Sequence, residues 1–135
     1  MADDKVEFEL VSPERLLLSE LVDMVVVPGE EGDFGVLPMH APLISTVRPG
    51  VIQVYQDRQV TQRLFVAGGF AEVTRSRCTV LAETAMPVDE IDRAQVEQQL
   101  KDAREDVADA KTDEARKAAE RQVAVGVAAL QAASS

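Results

Sequence analysis

The sequence predicts an α+β fold, with an N-terminal antiparallel β-sandwich at residues 1–86 and a C-terminal antiparallel two-helix hairpin at residues 87–135. Short apolar stretches recur in the first part about every 8–12 residues, with Gly, Pro or Asp near the breaks, which is typical of a sandwich or barrel. All six prolines and all the aromatic residues lie at or before Pro87. Beyond Pro87 the chain is rich in alanine and charged residues, which favours helix.

The predicted strands follow from apolar patterning. Residues 6–11 (VEFELV) alternate apolar and polar side chains, as in a half-buried strand. Residues 21–28 (LVDMVVVP) form a more continuous apolar run, as in a strand covered on both faces. Further strands are predicted at residues 34–37, 43–47, 51–55, 59–66, 69–74 and 78–83.

Turns are predicted between several of these strands. Residues 48–50 (RPG) and 56–59 (QDRQ) have turn composition. Gly68 and Gly69 open a strand, which indicates either close backbone packing or a positive φ. Residues 84–90 (TAMPVDE) are predicted to be a linker between the two parts.

The first helix of the hairpin is predicted from apolar residues spaced by four, three, four and three positions, with Asp89 as its cap and Asp92 in its first turn. Thr112 or Asp113 can cap the second helix, which is expected to continue to about Ala132. The predicted seams are Val96, Leu100, Ala103, Val107 and Ala110 on the first helix, and Ala115, Ala119, Val123, Val127 and Leu130 on the second.

Residues 30–50 are both strongly bent and apolar, a combination that argues against a plain loop. Pro38 and Pro42 fix their own φ and favour extended geometry before them, so they predict a stiff corner without helix. A stiff apolar segment can present a fixed shape to a partner at low entropic cost. For His40, between these prolines, we expect a corner residue whose ring bonds a nearby backbone group; partner contact is the alternative.

Charge and cysteine content exclude several classes of function. A net charge of −10 argues against nucleic acid as a partner, because phosphate binding needs a positive field. It suits a basic protein partner, although acidity also serves solubility. Cys78 is the single cysteine, which excludes an internal disulfide and a cysteine-based zinc site, and its strand context predicts an inert buried thiol. Without an apolar run of ~20 residues or a signal peptide, a reducing, cytosol-like compartment is expected.

The search for catalytic chemistry finds no constellation. His40 is the only histidine, and no Ser or Cys near it suggests a nucleophile. Residues 29–35 (GEEGDFG) lack the Lys and Ser/Thr of a phosphate-binding glycine loop. Paired-carboxylate hydrolysis remains the alternative to a non-catalytic chain, and neither a metal site nor a cofactor is predicted.

Two stretches carry a resemblance to a known family. Residues 30–44 (EEGDFGVLPMHAPLI) and 65–85 (FVAGGFAEVTRSRCTVLAETA) resemble two signatures of the epsilon subunit of the bacterial F-type ATP synthase, which is equivalent to the mitochondrial delta subunit. The resemblance covers essentially the whole chain. It implies a sandwich of about ten strands and a non-catalytic rotor subunit of the central stalk. The alternative is a free-standing sandwich that binds another protein.

The resemblance also implies partners and a location. Such a subunit binds the gamma subunit and the ring of c subunits, couples proton flow to rotation, and lies on the cytoplasmic face of the bacterial plasma membrane, held there through the complex. In many bacteria the helices also extend into the catalytic head of alpha and beta subunits and inhibit ATP hydrolysis. By carry-over, the partner-contact residues are Glu31, Asp33, Phe34, Met39 and His40.

The helical part departs from the family pattern for ATP binding. That pattern places an arginine three positions after the aspartate, whereas here Asp92 is followed directly by Arg93. Glu83, Asp92 and Arg93 are the weak ATP-binding candidates, and no bound cofactor is predicted. Inhibition uses basic residues on the last helix, and this chain offers only Arg116, Lys117 and Arg121, all near its start.

Overall fold

The structure is a computed structural model that describes residues 4–134. It divides into two compact units, one ending at Pro87 and one beginning at Val88. The first unit contains ten strands within the described residues: β1 Val6–Val11, β2 Leu16–Val22, β3 Met24–Gly29, β4 Gly32–Val36, β5 Leu43–Thr46, β6 Gly50–Gln56, β7 Gln59–Ala67, β8 Phe70–Val73, β9 Arg77–Leu81 and β10 Thr84–Pro87.

The strands form two five-stranded sheets. The first sheet has the order β2-β1-β9-β8-β5, and the second has the order β10-β7-β6-β3-β4. Neighbouring strands run antiparallel, apart from β1 and β9, which run parallel. The predicted sandwich of about ten strands is therefore confirmed.

The core of the sandwich comes from alternate residues of its strands. In β1, Val6, Phe8 and Leu10 are buried while Glu7 and Glu9 are not, which is the alternation that the sequence shows. The largest fully buried side chains are Phe8, Leu10 and Ile52, together with valines from both sheets. The burial of this apolar surface is the dominant favourable contribution to folding.

The single strand predicted at residues 21–28 is wrong, because the chain breaks at Asp23 and passes there from the first sheet to the second. The Asp23 carboxylate accepts hydrogen bonds from Lys5 Nζ at 2.5 Å and from the Asp57 amide at 2.6 Å. These bonds fix the corner between β2 and β3. The prediction also missed most of β2, which begins at Leu16.

The predicted linker at residues 84–90 is wrong in its first half, because Thr84–Pro87 is strand β10, paired with β7. Pro87 lies at the end of this edge strand, a position where proline is tolerated in a sheet. The second half, Val88–Glu90, is one turn of 3₁₀ helix.

The predicted turn at residues 56–59 is confirmed, whereas Gly50 of the predicted turn at residues 48–50 already begins β6. Asp57 and Arg58 have φ values of 52° and 66°, and they close the hairpin between β6 and β7. Gly68 and Gly69 have φ values of 74° and 101°. A Cβ on Gly69 would lie 1.7 Å from the carbonyl oxygen of Leu81, so close packing and positive φ coincide there.

The second unit is the predicted helical hairpin, with helix α1 at Arg93–Asp109 and helix α2 at Asp113–Ser134. The predicted cap at Asp89 is wrong, because Asp89 lies in the 3₁₀ turn. Asp92 caps α1 instead, since its carboxylate accepts from the Gln95 amide at 3.1 Å. Of the two candidates for α2, Thr112 is the cap, and its hydroxyl accepts from the Ala115 amide at 3.0 Å.

The helical seam differs from the prediction in α2. Leu100 and Ala103 of α1 are buried as expected. In α2, however, the predicted Ala115 is exposed, whereas Val127 and Leu130 are partly buried. The buried residues of α2 are the small ones, Ala119, Gly126, Ala129 and Ala132.

Candidate docking surface

The turn between β3 and β4 is an acidic hairpin turn, here named the tip (residues 29–33). Gly29 pairs with Gly32, which has a φ of 138° that favours glycine. Glu30 and Glu31 are exposed at the turn, and no ion pair to either is found among residues 4–134. The tip therefore presents two unpaired carboxylates on a tight turn.

Asp33, at the base of the tip, has a charged partner within the same unit. Its carboxylate accepts from Arg48 Nη2 at 2.5 Å, and Arg48 Nη1 donates to the Gly29 carbonyl at 2.6 Å. The Asp33 side chain is still 60% exposed. Asp33 thus lies at the predicted surface, but its charge is balanced within the sandwich, which the sequence pattern did not indicate.

Phe34 supports the tip from within. Its side chain is partly buried and packs against the core of the sandwich. A Cβ on Gly29 would lie 3.0 Å from two carbons of the Phe34 ring, so the ring fills the space beside the glycine. In the free protein, Phe34 holds the shape of the tip.

The proline corner, residues 37–42, is held by backbone hydrogen bonds. Met39 has a φ of 69°, which is uncommon for a residue other than glycine, and its amide donates to the Arg75 carbonyl at 2.8 Å. The His40 amide donates to the Leu37 carbonyl at 3.2 Å. The corner is therefore stiff, as the two prolines predict.

The ring of His40 bonds a nearby backbone group, as expected from the sequence. Its Nδ1 lies 2.6 Å from the Ala41 carbonyl oxygen. Because a carbonyl oxygen can only accept, Nδ1 carries the hydrogen, and Nε2 is left to face other groups. The His40 ring therefore helps to hold the corner through its bond to the backbone.

The corner and the strand that follows it, β5, display apolar side chains to solvent. Leu37, Met39 and Ile44 are 55%, 64% and 70% exposed. Ile44 lies on the edge strand β5, opposite Glu72 of β8. A strained backbone that holds an exposed methionine is a feature that interaction sites often show.

A second apolar feature crosses the outward face of the first sheet, here named the outer row (Leu16, Val11, Leu81 and Phe70). Val11 pairs with Leu16 on one side and with Leu81 on the other, and Leu81 pairs with Phe70. Leu16, Leu81 and Phe70 are 54%, 37% and 46% exposed. Sequence reasoning missed this row, because it depends on which strands are neighbours.

Charged side chains lie beside this row on the same face. Arg77 Nη2 contacts Glu7 at 3.1 Å, and Arg77 Nε lies 3.5 Å from Glu9. The hydrogen bond to Glu7 is the main reason why the pKa of Arg77 is raised. The outward face therefore combines an apolar row with paired charges.

The weak ATP-binding candidates in the hairpin already have partners. Asp92 caps α1, and Arg93 Nη1 donates to Ser134 Oγ at 2.7 Å. Glu83 belongs to the first unit, where a Cβ on Gly68 would lie 2.9 Å from its carboxyl carbon. Asp92 and Arg93 therefore have structural roles in the hairpin.

Other features bear on function more weakly. Within residues 4–134, no group of three or more His, Cys, Asp or Glu side chains could hold a metal ion. Over the same stretch, no helix is both long enough and apolar enough to cross a membrane. Cys78 is buried as predicted, and desolvation raises the pKa of its thiol to about 12, which keeps it protonated and unreactive.

Comparison with known proteins identifies the family. Residues 5–88 match the model of the β-sandwich domain of the ATP synthase delta/epsilon chain, and residues 92–135 match that of the C-terminal domain of the ATP synthase epsilon chain. The sequence is 58% identical to the ATP synthase epsilon chain of Rhodospirillum centenum over 132 residues, covering 94% of this chain and 90% of the relative. It is 56% identical to that of Rhodospirillum rubrum, covering 94% of both.

Solved structures share the fold. A subunit of the mitochondrial ATP synthase of Euglena gracilis superposes with a TM-score of 0.81 at 23% identity, over 98% of this chain and 82% of that one. A subunit in the central stalk and c ring of the Tetrahymena thermophila mitochondrial enzyme gives a TM-score of 0.74 at 16% identity, over 96% of both. Together with the sequence matches, these findings show that the chain belongs to the ATP synthase epsilon chain family, whose members are non-catalytic subunits of the ATP synthase.

Proposed function

We propose that this chain is a rotor subunit that joins the central stalk to the c ring and so couples proton translocation to ATP synthesis. The observation that carries the proposal is the tip, a rigid turn with two unpaired carboxylates, Glu30 and Glu31. Polar and basic loops of a c ring would complement this charge. Of the carried-over residues, Asp33 lies in the tip, and Met39 and His40 lie in the corner. Phe34 lies in β4 and packs beside Gly29 of the tip.

We further propose that the outer row binds the gamma subunit. Rows of exposed apolar side chains flanked by charged residues are typical of protein interfaces. Phe70, at the end of the row, is a large side chain of the kind that anchors such interfaces. The tip and the row then give the subunit separate surfaces for its two partners.

The location follows from the partners. We propose that the chain lies at the cytoplasmic face of the bacterial inner membrane, as a peripheral subunit held through the complex. The support is that the similar chains from Rhodospirillum centenum and Rhodospirillum rubrum are bacterial ATP synthase subunits. Contact of the helices with alpha or beta subunits is a secondary proposal, which rests on the family resemblance.

Co-purification combined with a charge reversal tests this function. The full-length protein is expected to co-purify with gamma and c subunits in stoichiometric amounts. Glu31→Lys should weaken assembly with the c ring several-fold and leave thermal stability unchanged, because Glu31 is exposed and lacks an ion pair. Glu14→Lys makes the same change in net charge at an exposed site outside the tip and serves as the matched control.

Two outcomes would contradict the proposal. The first is the absence of gamma and c subunits from the purified wild-type complex. The second is equal assembly of the Glu31→Lys and Glu14→Lys variants, which would show that charge at the tip is not recognised.

A further inference from the structure

We propose that Arg48 is a positioning residue for docking: it braces the tip so that the turn presents Glu30 and Glu31 in a fixed direction. This inference rests on the proposed function, because it assigns a role within the surface that binds the c ring. The family resemblance did not point to Arg48, which lies outside both signature stretches. The geometry around residues 46–48 carries the argument.

Residues 46–48 cross behind the tip and bond it at successive positions. The Glu30 amide donates to the Thr46 carbonyl at 2.9 Å, and the Arg48 amide donates to the Pro28 carbonyl at 2.9 Å. Between these bonds, Gly29 and Val47 form an isolated β-bridge. The backbone at the tip is thus tied to the crossing segment on both sides of Gly29.

The same segment is tied to the first sheet. The Val47 amide donates to the Gly69 carbonyl at 3.1 Å, and Gly69 is packed tightly against Leu81. The side chain of Val47 is buried in the core. A group fixed to residues 46–48 therefore has a rigid base, which spans both sheets of the sandwich.

The Arg48 side chain extends this base to the two arms of the turn. One guanidinium nitrogen donates to the Gly29 carbonyl on the β3 arm, at 2.6 Å, and the other donates to the Asp33 carboxylate on the β4 arm, at 2.5 Å. A planar guanidinium can hold two such acceptors in a fixed geometry, whereas an ammonium group acts as a single point charge. The arrangement explains why arginine, rather than lysine, suits this position.

The ion pair between Arg48 and Asp33 also determines where the net negative charge of the tip lies. Asp33 is neutralised locally by Arg48, so the free negative charge lies on Glu30 and Glu31. The Arg48 side chain is 41% exposed, and an ion pair this accessible adds little to overall stability. Its main effect is on the geometry of the turn rather than on the free energy of unfolding of the sandwich.

A positioning role for Arg48 and a purely electrostatic role predict opposite effects of substitution on docking affinity. Arg48→Met removes the brace but makes the tip more negative, which would strengthen binding to a basic surface if only charge mattered. Arg48→Met combined with Asp33→Asn restores the wild-type net charge without the brace. Arg48→Lys keeps the charge but cannot hold both acceptors in the same way.

The experiment measures the affinity of the full-length protein for ATP synthase complexes depleted of this subunit. If Arg48 positions the tip, Arg48→Met and the double variant should each weaken docking about fivefold. Arg48→Lys should lie between these variants and the wild type. Stronger docking by Arg48→Met, with wild-type docking by the double variant and by Arg48→Lys, would overturn the inference.

Hydrogen exchange supplies a readout that does not depend on docking. The Glu30 amide, bonded to Thr46, should exchange faster in the Arg48 variants, while amides of β6 should be unchanged. Unchanged exchange at Glu30 would overturn the inference by itself. Failure of the wild-type protein to dock would instead contradict the proposed function, so the two failures are distinguishable.

Discussion

Leu100 of α1 packs directly on Gly126 of α2: a Cβ added at Gly126 would lie 3.2 Å from both Cβ and Cδ1 of Leu100. Glycine costs a helix up to about 1 kcal/mol relative to alanine, so the sequence alone suggests a weak point. The structure shows instead that the absent side chain lets the two helices approach. Gly126 is therefore a packing residue of the hairpin.

This contact predicts a graded response to side-chain size. Gly126→Ala should change the free energy of unfolding of the hairpin by less than about 1 kcal/mol, because the helix-propensity gain offsets a slight displacement of Leu100. Gly126→Leu should destabilise the hairpin by about 1–3 kcal/mol, because the larger side chain overpacks this contact. Thermal unfolding followed by far-UV circular dichroism measures both. Equal stability of the alanine and leucine variants would contradict the close packing.

Gly69 should be the least replaceable glycine of the sandwich. Gly69→Ala is expected to cost roughly 3–5 kcal/mol, since its φ is positive and the added Cβ would collide with the Leu81 carbonyl. Gly35→Ala is the control, because its Cβ would meet only Met24 Sδ at 3.6 Å, an ordinary contact. Urea unfolding compares the two. A loss of stability below about 1 kcal/mol for Gly69→Ala would show that the backbone contact between Gly69 and Leu81 can relax.

The first unit is predicted to fold without the helices. A fragment ending at Pro87 should unfold in one cooperative transition, because the buried core cluster of the sandwich lies within it. A fragment ending at Glu83 should be markedly less stable, since it lacks β10 and leaves the β7 edge unpaired. Denaturant titration followed by Tyr55 fluorescence tests this. Absence of a cooperative transition in the longer fragment would mean that the two units depend on each other.

Removal of the helices from Val88 onward is predicted to leave ATP hydrolysis by the assembled complex nearly unchanged. The basic residues of α2, namely Arg116, Lys117 and Arg121, lie in its first half, and α1 exposes several carboxylates that would repel acidic loops of a catalytic head. Burial of Val123, Val127 and Leu130 against a partner subunit would oppose this repulsion. It would contribute ~1.5–3 kcal/mol for each fully buried side chain.

Hydrolysis rates should be compared at equal occupancy of the full-length and truncated subunits, with subunit content measured in each preparation. A several-fold rise in hydrolysis on truncation would show that apolar docking outweighs the charge mismatch. It would then assign an inhibitory role to the hairpin.

The pair of Lys5 and Asp23 predicts a dependence of stability on acid pH. The hydrogen bond from Lys5, assisted by the Asp57 amide, lowers the pKa of Asp23 below its ordinary value of 3.8. A lowered carboxyl pKa stabilises the fold above the unfolded pKa, and that contribution is lost as the pH falls through the folded pKa. The stability difference between wild type and Asp23→Asn should therefore be full near neutral pH and shrink below about pH 4.

Lys5→Met supplies the matched test, because it removes the partner and keeps the carboxylate. In the Lys5→Met background, the change in stability that Asp23→Asn causes should depend less on pH. The reason is that the main cause of the lowered Asp23 pKa is then absent. An unchanged difference between wild type and Asp23→Asn from neutral to strongly acid pH would contradict this assignment.

Local sequence patterns determined much of this protein. Alternation in residues 6–11 and spacings of three and four around Leu100 depend on neighbours along the chain, so they predicted β1 and α1 correctly. The prolines and glycines of residues 30–50 likewise predicted a stiff bend, because they restrict φ and ψ at their own positions. Two signature stretches then sufficed to place the protein in its family.

Tertiary structure decided what depends on residues distant in sequence. The Asp33–Arg48 pair joins residues 15 positions apart, and the outer row exists because β1 lies between β2 and β9. The short strand β10 shows no alternation of its own and forms because β7 offers an unpaired edge. Propensity and periodicity are local, whereas pairing, close approach and charge compensation arise when folding brings separate segments together. The sequence alone therefore determined the two-part fold and the family, and the folded structure decided which carboxylate of the tip, Asp33, is paired with Arg48.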